Sequence, residues 1–449
     1  MPLAPRQFSP AQLLTTSLLG LIAIGTVLLR LPLSAARQPL SFLDAFFTAT
    51  SAVCVTGLIV VDTPVDLSLF GQIVVMLLIQ AGGLGYMAIT TVVAVALGRQ
   101  LTIHERLTLQ EALNVQTMDG LIKFLKTVFK LTILLELAGA IVLAARWSTA
   151  FGPFRAVYYG LFHSVSAFNN AGFALFSDNL MSFRGDWLVN LVILGLVVTG
   201  GLGFVVLTEL GMWRATRRFS AHTRLVLAVT TFFIVGGTIV IFLLERGNAR
   251  TLAALPGGEA FLASFFQAVS PRTAGFNTID IGAMRPASLF AIMIMMFIGA
   301  APGGTAGGVK ITTFAITVAA LWATVRGQEE PVIFRRRLAA TLVARAFFIS
   351  LIAFLALNGV AALLLVTEGR ELLPTLFETT SAFGTVGLSM GEAGAPVSLV
   401  GHFSAAGKLL LAVMMFMGRI GPLTLAVALA HRGSVPPRIR YPEGKILVG

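Results

Sequence analysis

Four times along this chain a short apolar segment, too brief to span a bilayer, runs into a glycine and is followed by a long apolar stretch. The segments are 42–58, 159–173, 262–276 and 376–388, and they align on Gly57, Gly172, Gly275 and Gly387. Each carries a phenylalanine ten positions before its glycine (Phe47, Phe162, Phe265, Phe377), small Ser- and Thr-rich residues between, and Leu or Phe directly after. Flanking them are eight apolar stretches, Leu13–Leu31, Leu69–Leu97, Leu121–Ala145, Trp187–Leu210, Leu225–Leu244, Ala287–Val325, Leu338–Val366 and Ala405–Ala430. Each is long enough to cross the hydrocarbon core as one helix, which takes about 20 residues. The unit of long helix, re-entrant segment, glycine strand and long helix recurs with a period of roughly 100 residues, and such a period defines an architecture. The reading is an all-α integral membrane protein of eight transmembrane helices, in which four helix–pore-loop–helix repeats close around a single central pore. Expected boundaries are 10–100, 118–213, 222–326 and 335–432, with 433–449 as a cytoplasmic tail. The first stretch lacks a small-residue cleavage site leading into a soluble domain, so it is read as a retained helix.

Composition agrees. Apolar residues make up 56% of the 449 and charged residues only 12%, against roughly 25% charge in soluble domains. The mean hydropathy is +0.89, so lipid is the solvent for most of the chain. One cysteine, Cys54, excludes an intrachain disulfide and a cysteine-held metal cluster, and five scattered histidines argue against a catalytic metal. The net charge of +12 is gathered in alternate loops: Arg214, Arg217, Arg218 and Arg224; Arg335, Arg336 and Arg337; and the tail with Arg432, Arg438, Arg440 and Lys445. The intervening loops hold Asp44, Asp62, Asp66, Asp178 and Asp186. That asymmetry places the basic loops and both termini in the cytoplasm, for a multi-pass protein of the cytoplasmic (inner) membrane. Arginines spread over short loops, without interleaved aromatics, make anionic lipid contact and no nucleic-acid surface.

A re-entrant helix that returns as extended backbone leaves peptide groups unpaired, which a bilayer tolerates only where they are buried in protein or line a wet cavity. Four such strands around one axis aim carbonyl oxygens at a common line, where they can replace the hydration shell of a cation. Glycine suits the role because it takes positive φ freely, and the C-terminal dipoles of the short helices favour a cation at the centre. The candidate ligands are the backbone at Val55, Thr56 and Gly57; Asn170, Ala171 and Gly172; Thr273, Ala274 and Gly275; and Thr385, Val386 and Gly387. No carboxylate adjoins the four glycines, which suits a partly dehydrated monovalent cation.

The sixth stretch is interrupted at 299–310 by Gly299, Pro302, Gly303, Gly304, Gly307 and Gly308, ending at Lys310. Irregular backbone at this depth must line a cavity, and the reading is a mobile gate below the filter. Arg419, at equivalent depth in the eighth stretch, is expected to hold that loop through its carbonyls and to repel a cation while the loop is in place. Gly82–Gly85, Gly200–Gly203 and Gly418–Gly421 recur in the other second helices. Asp44 and Glu259 are expected to offset helix dipoles, Arg272 to pair behind the filter with Glu378 or another acid, and Glu136 and Glu209 to be satisfied locally near helix ends. No catalytic cluster or nucleotide loop is present, so an enzyme is not expected.

The motifs Asn169–Phe173, Arg272–Phe276 and Gly384–Leu388, the stretch Gly299–Lys310 and the segment Gly418–Pro422 resemble those of the Trk/Ktr/HKT superfamily of potassium transport proteins over nearly the whole chain. Eight spans and the ending Arg440–Ile446 resemble the Ktr-type membrane subunit. The resemblance implies potassium held by filter carbonyls, sodium as an activator or coupling ion, and a homodimer with one pore per protomer. It also implies docking on a KtrA-like ring of cytoplasmic nucleotide-binding regulatory subunits, which basic loops would suit. Glycine at all four filter positions fits potassium; a serine at the first is associated in the superfamily with sodium. Ala301 and Pro302 depart from the commoner Gly/Ser wording of the gate stretch. The alternative is a carrier coupling potassium to sodium or protons by alternating access.

Overall fold

The computed structural model describes residues 10–85, 121–392, 396–422 and 424–425. The first repeat comprises α1 (Pro10–Arg30), α2 (Phe42–Val53) and α3 (Leu69–Leu84). The second comprises α4 (Leu121–Phe151), α5 (Pro153–Phe168), α6 (Trp187–Gly201) and α7 (Phe204–Gly211). In the third are α8 (Ala221–Glu245), α9 (Gly257–Val269), α10 (Pro286–Phe297) and α11 (Ile311–Val325). A two-stranded antiparallel hairpin, β1 (Val332–Ile333) and β2 (Arg336–Arg337), leads into the fourth: α12 (Ala340–Glu368), α13 (Leu372–Gly384) and α14 (Ala405–Ile420).

Polar caps start several of these helices. Ser41, Ser68, Asp186, Ser220 and Ser404 each accept a backbone N–H from the first turn of α2, α3, α6, α8 and α14, satisfying donors that a helix start leaves free. The outer helices α1, α4, α8 and α12 run 21, 31, 25 and 29 residues. At about 1.5 Å per residue each reaches across a hydrocarbon core. Large apolar side chains such as Ile24, Ile141, Phe232 and Phe354 stand exposed on them; lipid solvates such a surface and water does not.

Three of the inner helices, α3, α6 and α14, differ from expectation, while α10 ends at the interruption expected in the sixth stretch. Helices α3, α6, α10 and α14 have only 16, 15, 12 and 16 residues, roughly 18–24 Å of helix. The four-repeat architecture stands, but the second stretch of each repeat is not one continuous span. Helix α3 stops at Gly85 and α14 at Gly421, both at positive φ, and α6 breaks at Leu202–Gly203 to turn by 106° into α7. A glycine at positive φ cannot continue the helix, and hydrophobicity continuing past it conceals the stop. Residues 86–120, the end of the first repeat and the start of the second, lie outside the described residues. So does all of the chain after 425, including the tail 433–449 and the ending at 440–446.

Each inner helix packs on the pore helix of the next repeat: α3 on α5, α6 on α9, α10 on α13, and α14 on α2. The last contact joins the ends of the chain, and one apolar cluster containing Leu29, Phe47, Val75, Leu364, Leu411 and Met415 runs through both the first and fourth repeats. The order of packing is therefore cyclic. Glycine permits the closeness of pore helix and inner helix within a repeat. A methyl at Gly82, Gly200 or Gly418 would sit 1.9, 1.8 and 1.8 Å from the carbonyl oxygens of Val53, Phe168 and Phe383, the residues just ahead of the filter strands.

The third pore helix is offset by one residue. Thr56, Ala171 and Val386 donate N–H to the carbonyls of Ser51, Ser166 and Ser381, five residues back, whereas Ala274 donates to Ser270, four back. Phe266, fully buried, accordingly replaces Phe265, which is only partly buried, as the counterpart of Phe47, Phe162 and Phe377.

Candidate selectivity filter and gate

All twelve expected filter residues are buried. In every strand the first and third have positive φ: Val55 (56°) and Gly57 (93°), Asn170 (59°) and Gly172 (72°), Thr273 (70°) and Gly275 (74°), Thr385 (49°) and Gly387 (93°). Alternating hand along a strand turns successive carbonyls to one side. Left-handed backbone at a β-branched residue such as Val55, Thr273 or Thr385 is rare and costs of order 1–3 kcal/mol, a strain that persists only where the surroundings enforce it.

The four strands meet in a ring. A methyl at Gly57 would lie 2.4 Å from the Ala171 carbonyl oxygen, one at Gly172 2.9 Å from that of Ala274, one at Gly275 2.4 Å from that of Val386, and one at Gly387 2.1 Å from that of Thr56. Each glycine thus faces the middle residue of the next strand, and the fourth returns to the first. The middle residues are fixed from behind by the backbone bonds described above. Gly57 and Gly387 also donate N–H to the hydroxyls of Ser51 and Ser381, at 3.0 and 3.1 Å. The Ser166 hydroxyl donates to the Phe173 carbonyl at 2.7 Å, and that of Ser270 to Phe276. These serines escaped the sequence reading, although three of them stand six residues before their glycine.

The four glycines form part of the wall of a vestibule of about 750 Å³. Five carboxylates line it (Asp62, Asp178, Asp280, Glu371, Glu392) against two guanidiniums, Arg250 and Arg370, the latter paired with Glu392. A mouth with an excess of carboxylates raises the local concentration of cations. Burial pushes the Asp62 carboxyl above its ordinary range; the Ser177 hydroxyl bond at 2.6 Å opposes that shift and the charge of Asp66 adds to it. Asp62 therefore takes up a proton before an ordinary carboxylate does as pH falls, and the vestibule loses that charge first. At low ionic strength and low cation concentration, uptake should decline about two- to threefold as external pH falls from neutral toward the ordinary carboxylate range. Asp62→Asn should start at the lower rate and show a flatter profile, measured as initial tracer uptake against external pH. An unchanged profile in the variant would remove Asp62 from this role.

At the opposite end of the filter lies the loop 298–310. Thr305 and Ala301 donate N–H to the carbonyls of Gly200 (3.3 Å) and Gly201 (3.0 Å), and Gly303 accepts from Phe204 (2.9 Å). Gly308 donates to Gly418 at 3.1 Å. A methyl at Gly307 would strike the Thr385 hydroxyl at 2.2 Å, one at Gly299 the Gly307 carbonyl at 2.1 Å, one at Gly304 the Gly200 carbonyl at 2.9 Å, and one at Gly203 the Pro302 carbonyl at 2.7 Å. The Lys310 ammonium donates to the Ala306 carbonyl at 2.5 Å. Arg419 donates to the Thr305 carbonyl from one guanidinium nitrogen, and from another to the carbonyls of Gly82 and, at 3.2 Å, Gly83. The loop is thus tied to the second and fourth repeats directly and to the first through Arg419. All eight expected gate residues gather here, together with Thr305.

Other expectations need correction. Arg272 and Glu378 do not meet: the guanidinium donates to the Thr230 carbonyl at 3.2 Å, while Glu378 accepts from Ser389 (2.7 Å) and the Val400 N–H (2.9 Å). They come from different repeats, and each finds its partners on a different element. Glu136 lies in the middle of α4, not near its end. It accepts from Asn169 at 3.0 Å and Gln80 at 3.3 Å, so its partners belong to α3 and the C-terminal cap of α5. Glu209 accepts from the Ser220 N–H at 3.0 Å. Asp44 and Glu259 sit in first turns as expected, and Asp44 also pairs with Lys408 at 2.9 Å.

A family model described as TrkH, cation transport protein, matches residues 10–433. The chain belongs to this family. The Ktr system potassium uptake protein B of Bacillus subtilis is 44% identical over 444 residues, covering 99% of this chain and 97% of that one. The protein of the same name from Vibrio alginolyticus is 39% identical over 98% of this chain and 94% of its own. A potassium/sodium uptake protein of Enterococcus hirae, NtpJ, is 35% identical over 99% and 98%. The crystal structure of the potassium transporter TrkH from Vibrio parahaemolyticus superposes with a TM-score of 0.76, covering 95% of this chain and 86% of that one at 19% identity. At that identity the likeness speaks for the fold, and the fold it supports is the four-repeat ring derived above.

Proposed function

We propose that this protein takes up potassium across the cytoplasmic membrane through a channel-like pore. The observation that carries the reading is the closed ring of Gly57, Gly172, Gly275 and Gly387, each against the middle carbonyl of the next strand. A potassium ion leaves the carboxylate-lined vestibule and exchanges its water for backbone carbonyls. It needs no ionised ligand, because the carbonyl dipoles and the four helix C-termini supply the negative potential. The membrane potential drives it inward with about 2.3 kcal/mol per charge at 100 mV. Loop 298–310 is the gate: it lies at the inner end of the filter, and Arg419 holds it through the Thr305 carbonyl. While in place, the loop brings the charges of Arg419 and Lys310 under the filter, where they oppose a cation.

The relatives named as components of a Ktr system support a multi-subunit assembly. In this reading two copies dock on a cytoplasmic ring of nucleotide-binding regulatory subunits, with both termini on that side. Sodium acts as activator or coupling ion, a role supported by the relative named for potassium and sodium uptake.

The test is tracer rubidium uptake into proteoliposomes holding the purified protein, with sodium added in rising excess. Rubidium uptake that sodium maintains or raises and unlabelled potassium suppresses is the expected result. Equal suppression by sodium and potassium, or no uptake at all, overturns the reading.

A further inference from the structure

Thr305 joins the gate loop to the filter. It is fully buried, and each of its polar atoms has a different task. Its N–H donates to Gly200 and its carbonyl accepts from Arg419. Its hydroxyl lies 3.1 Å from the side-chain amide of Asn170 and 3.3 Å from the Phe168 carbonyl. Asn170 is the left-handed residue that opens the second filter strand. Its amide nitrogen in turn reaches the Arg272 carbonyl at 3.3 Å and the Thr273 hydroxyl at 3.4 Å, at the start of the third strand. With the amide turned over, the nitrogen donates to the Val197 and Phe168 carbonyls at 3.2 Å and to the Thr305 hydroxyl at 3.1 Å. The bond to Thr305 is common to both orientations.

The other strands open with Val55, Thr273 and Thr385. Valine has no polar side-chain atom, and the Thr385 hydroxyl, against Gly307, has no hydrogen-bond partner. Among the described residues, the bond between Thr305 and Asn170 is the side-chain hydrogen bond that links the loop to a filter strand. Asparagine tolerates left-handed backbone partly because its side chain can be held by a hydrogen bond, and here the holding group belongs to the part of the molecule that must move for ions to pass.

We propose that Thr305 is a positioning residue for ion selectivity: through Asn170 its hydroxyl fixes the backbone that opens the second filter strand, so the gate loop governs the preference for potassium over sodium as well as the flux. The proposal rests on the reading of the ring as a potassium filter. Selectivity is a difference between two binding free energies, so a small change in carbonyl placement alters the ratio of ions without closing the path.

The experiment compares the full-length parent with Thr305→Val, Thr305→Ala and Thr305→Ser in proteoliposomes, reading tracer rubidium and tracer sodium uptake separately. Valine and alanine remove the hydroxyl while leaving the backbone bonds to Gly200 and Arg419 available. The expected result is a sodium-to-rubidium uptake ratio raised about fivefold or more, the scale of one lost buried hydrogen bond, in both variants, with serine restoring the parental ratio. A change in rate at an unchanged ratio makes Thr305 a gate element only and overturns the proposal. So does loss of both fluxes in a variant that elutes and melts as the parent does. If valine disturbs folding, alanine and serine carry the comparison, and a serine variant that fails to restore the ratio is equally fatal. A parent that does not prefer rubidium defeats the filter reading itself, a failure distinct from these.

Discussion

Gly387→Ala is expected to lower potassium uptake at least about 100-fold, roughly 2.7 kcal/mol on the barrier to conduction. The added methyl would lie 2.1 Å from the Thr56 carbonyl oxygen and 3.0 Å from the Gly57 Cα, at a φ of +93° that an L side chain strains to adopt. Both neighbours are backbone atoms of the ring, so relief requires the first strand to move, and with it the Thr56 carbonyl proposed to meet the ion. Gly195→Ala is the matched control, because a methyl there has no neighbour within 4 Å. The measurement is rubidium uptake per reconstituted protein, with melting temperature in detergent as the check on folding. Parental uptake and selectivity in a folded Gly387→Ala protein would mean that ions do not pass through the ring.

Arg419→Gln should act in the opposite direction, raising uptake about tenfold. The guanidinium holds the Thr305 carbonyl on one side and those of Gly82 and Gly83 on the other, and hydrogen bonds from a charged donor contribute about 1.5–3 kcal/mol each. Glutamine is too short and too poor in donors to span both, and it removes a positive charge from under the filter. Lysine keeps the charge but offers a point donor in place of the planar fork, so Arg419→Lys should fall between the two. Uptake that falls in a folded Arg419→Gln protein would show that the arginine supports the pore instead of holding it shut.

The four ring glycines were legible from the chain because their requirement shows in the residue type: positive φ next to another strand's backbone leaves no room for a side chain. The left-handed backbone two positions earlier was not, although those residues stood among the candidate ligands. Val55, Asn170, Thr273 and Thr385 share no chemistry, and three are β-branched types that ordinarily avoid this conformation. Their backbone is imposed by the ring and by the serines behind it. The inner-helix stops were hidden for another reason: the hydrophobicity continues through Gly85 and Gly203, while hydropathy reports solvent and not backbone direction. The match of Phe265 to the other pore-helix phenylalanines failed because the third pore helix enters its strand one residue sooner.

What the sequence by itself determined is the solvent, the period and the tight positions. These follow from composition, from spacing and from the single residue type able to take positive φ without strain. The partners of the buried polar groups were decided by tertiary structure alone. Arg272 faces Thr230, Glu136 holds Asn169, and Thr305 joins Asn170. In a medium with no water to satisfy them, buried polar groups bond to whatever the packed repeats bring within reach, and that depends on the order in which the ring closes.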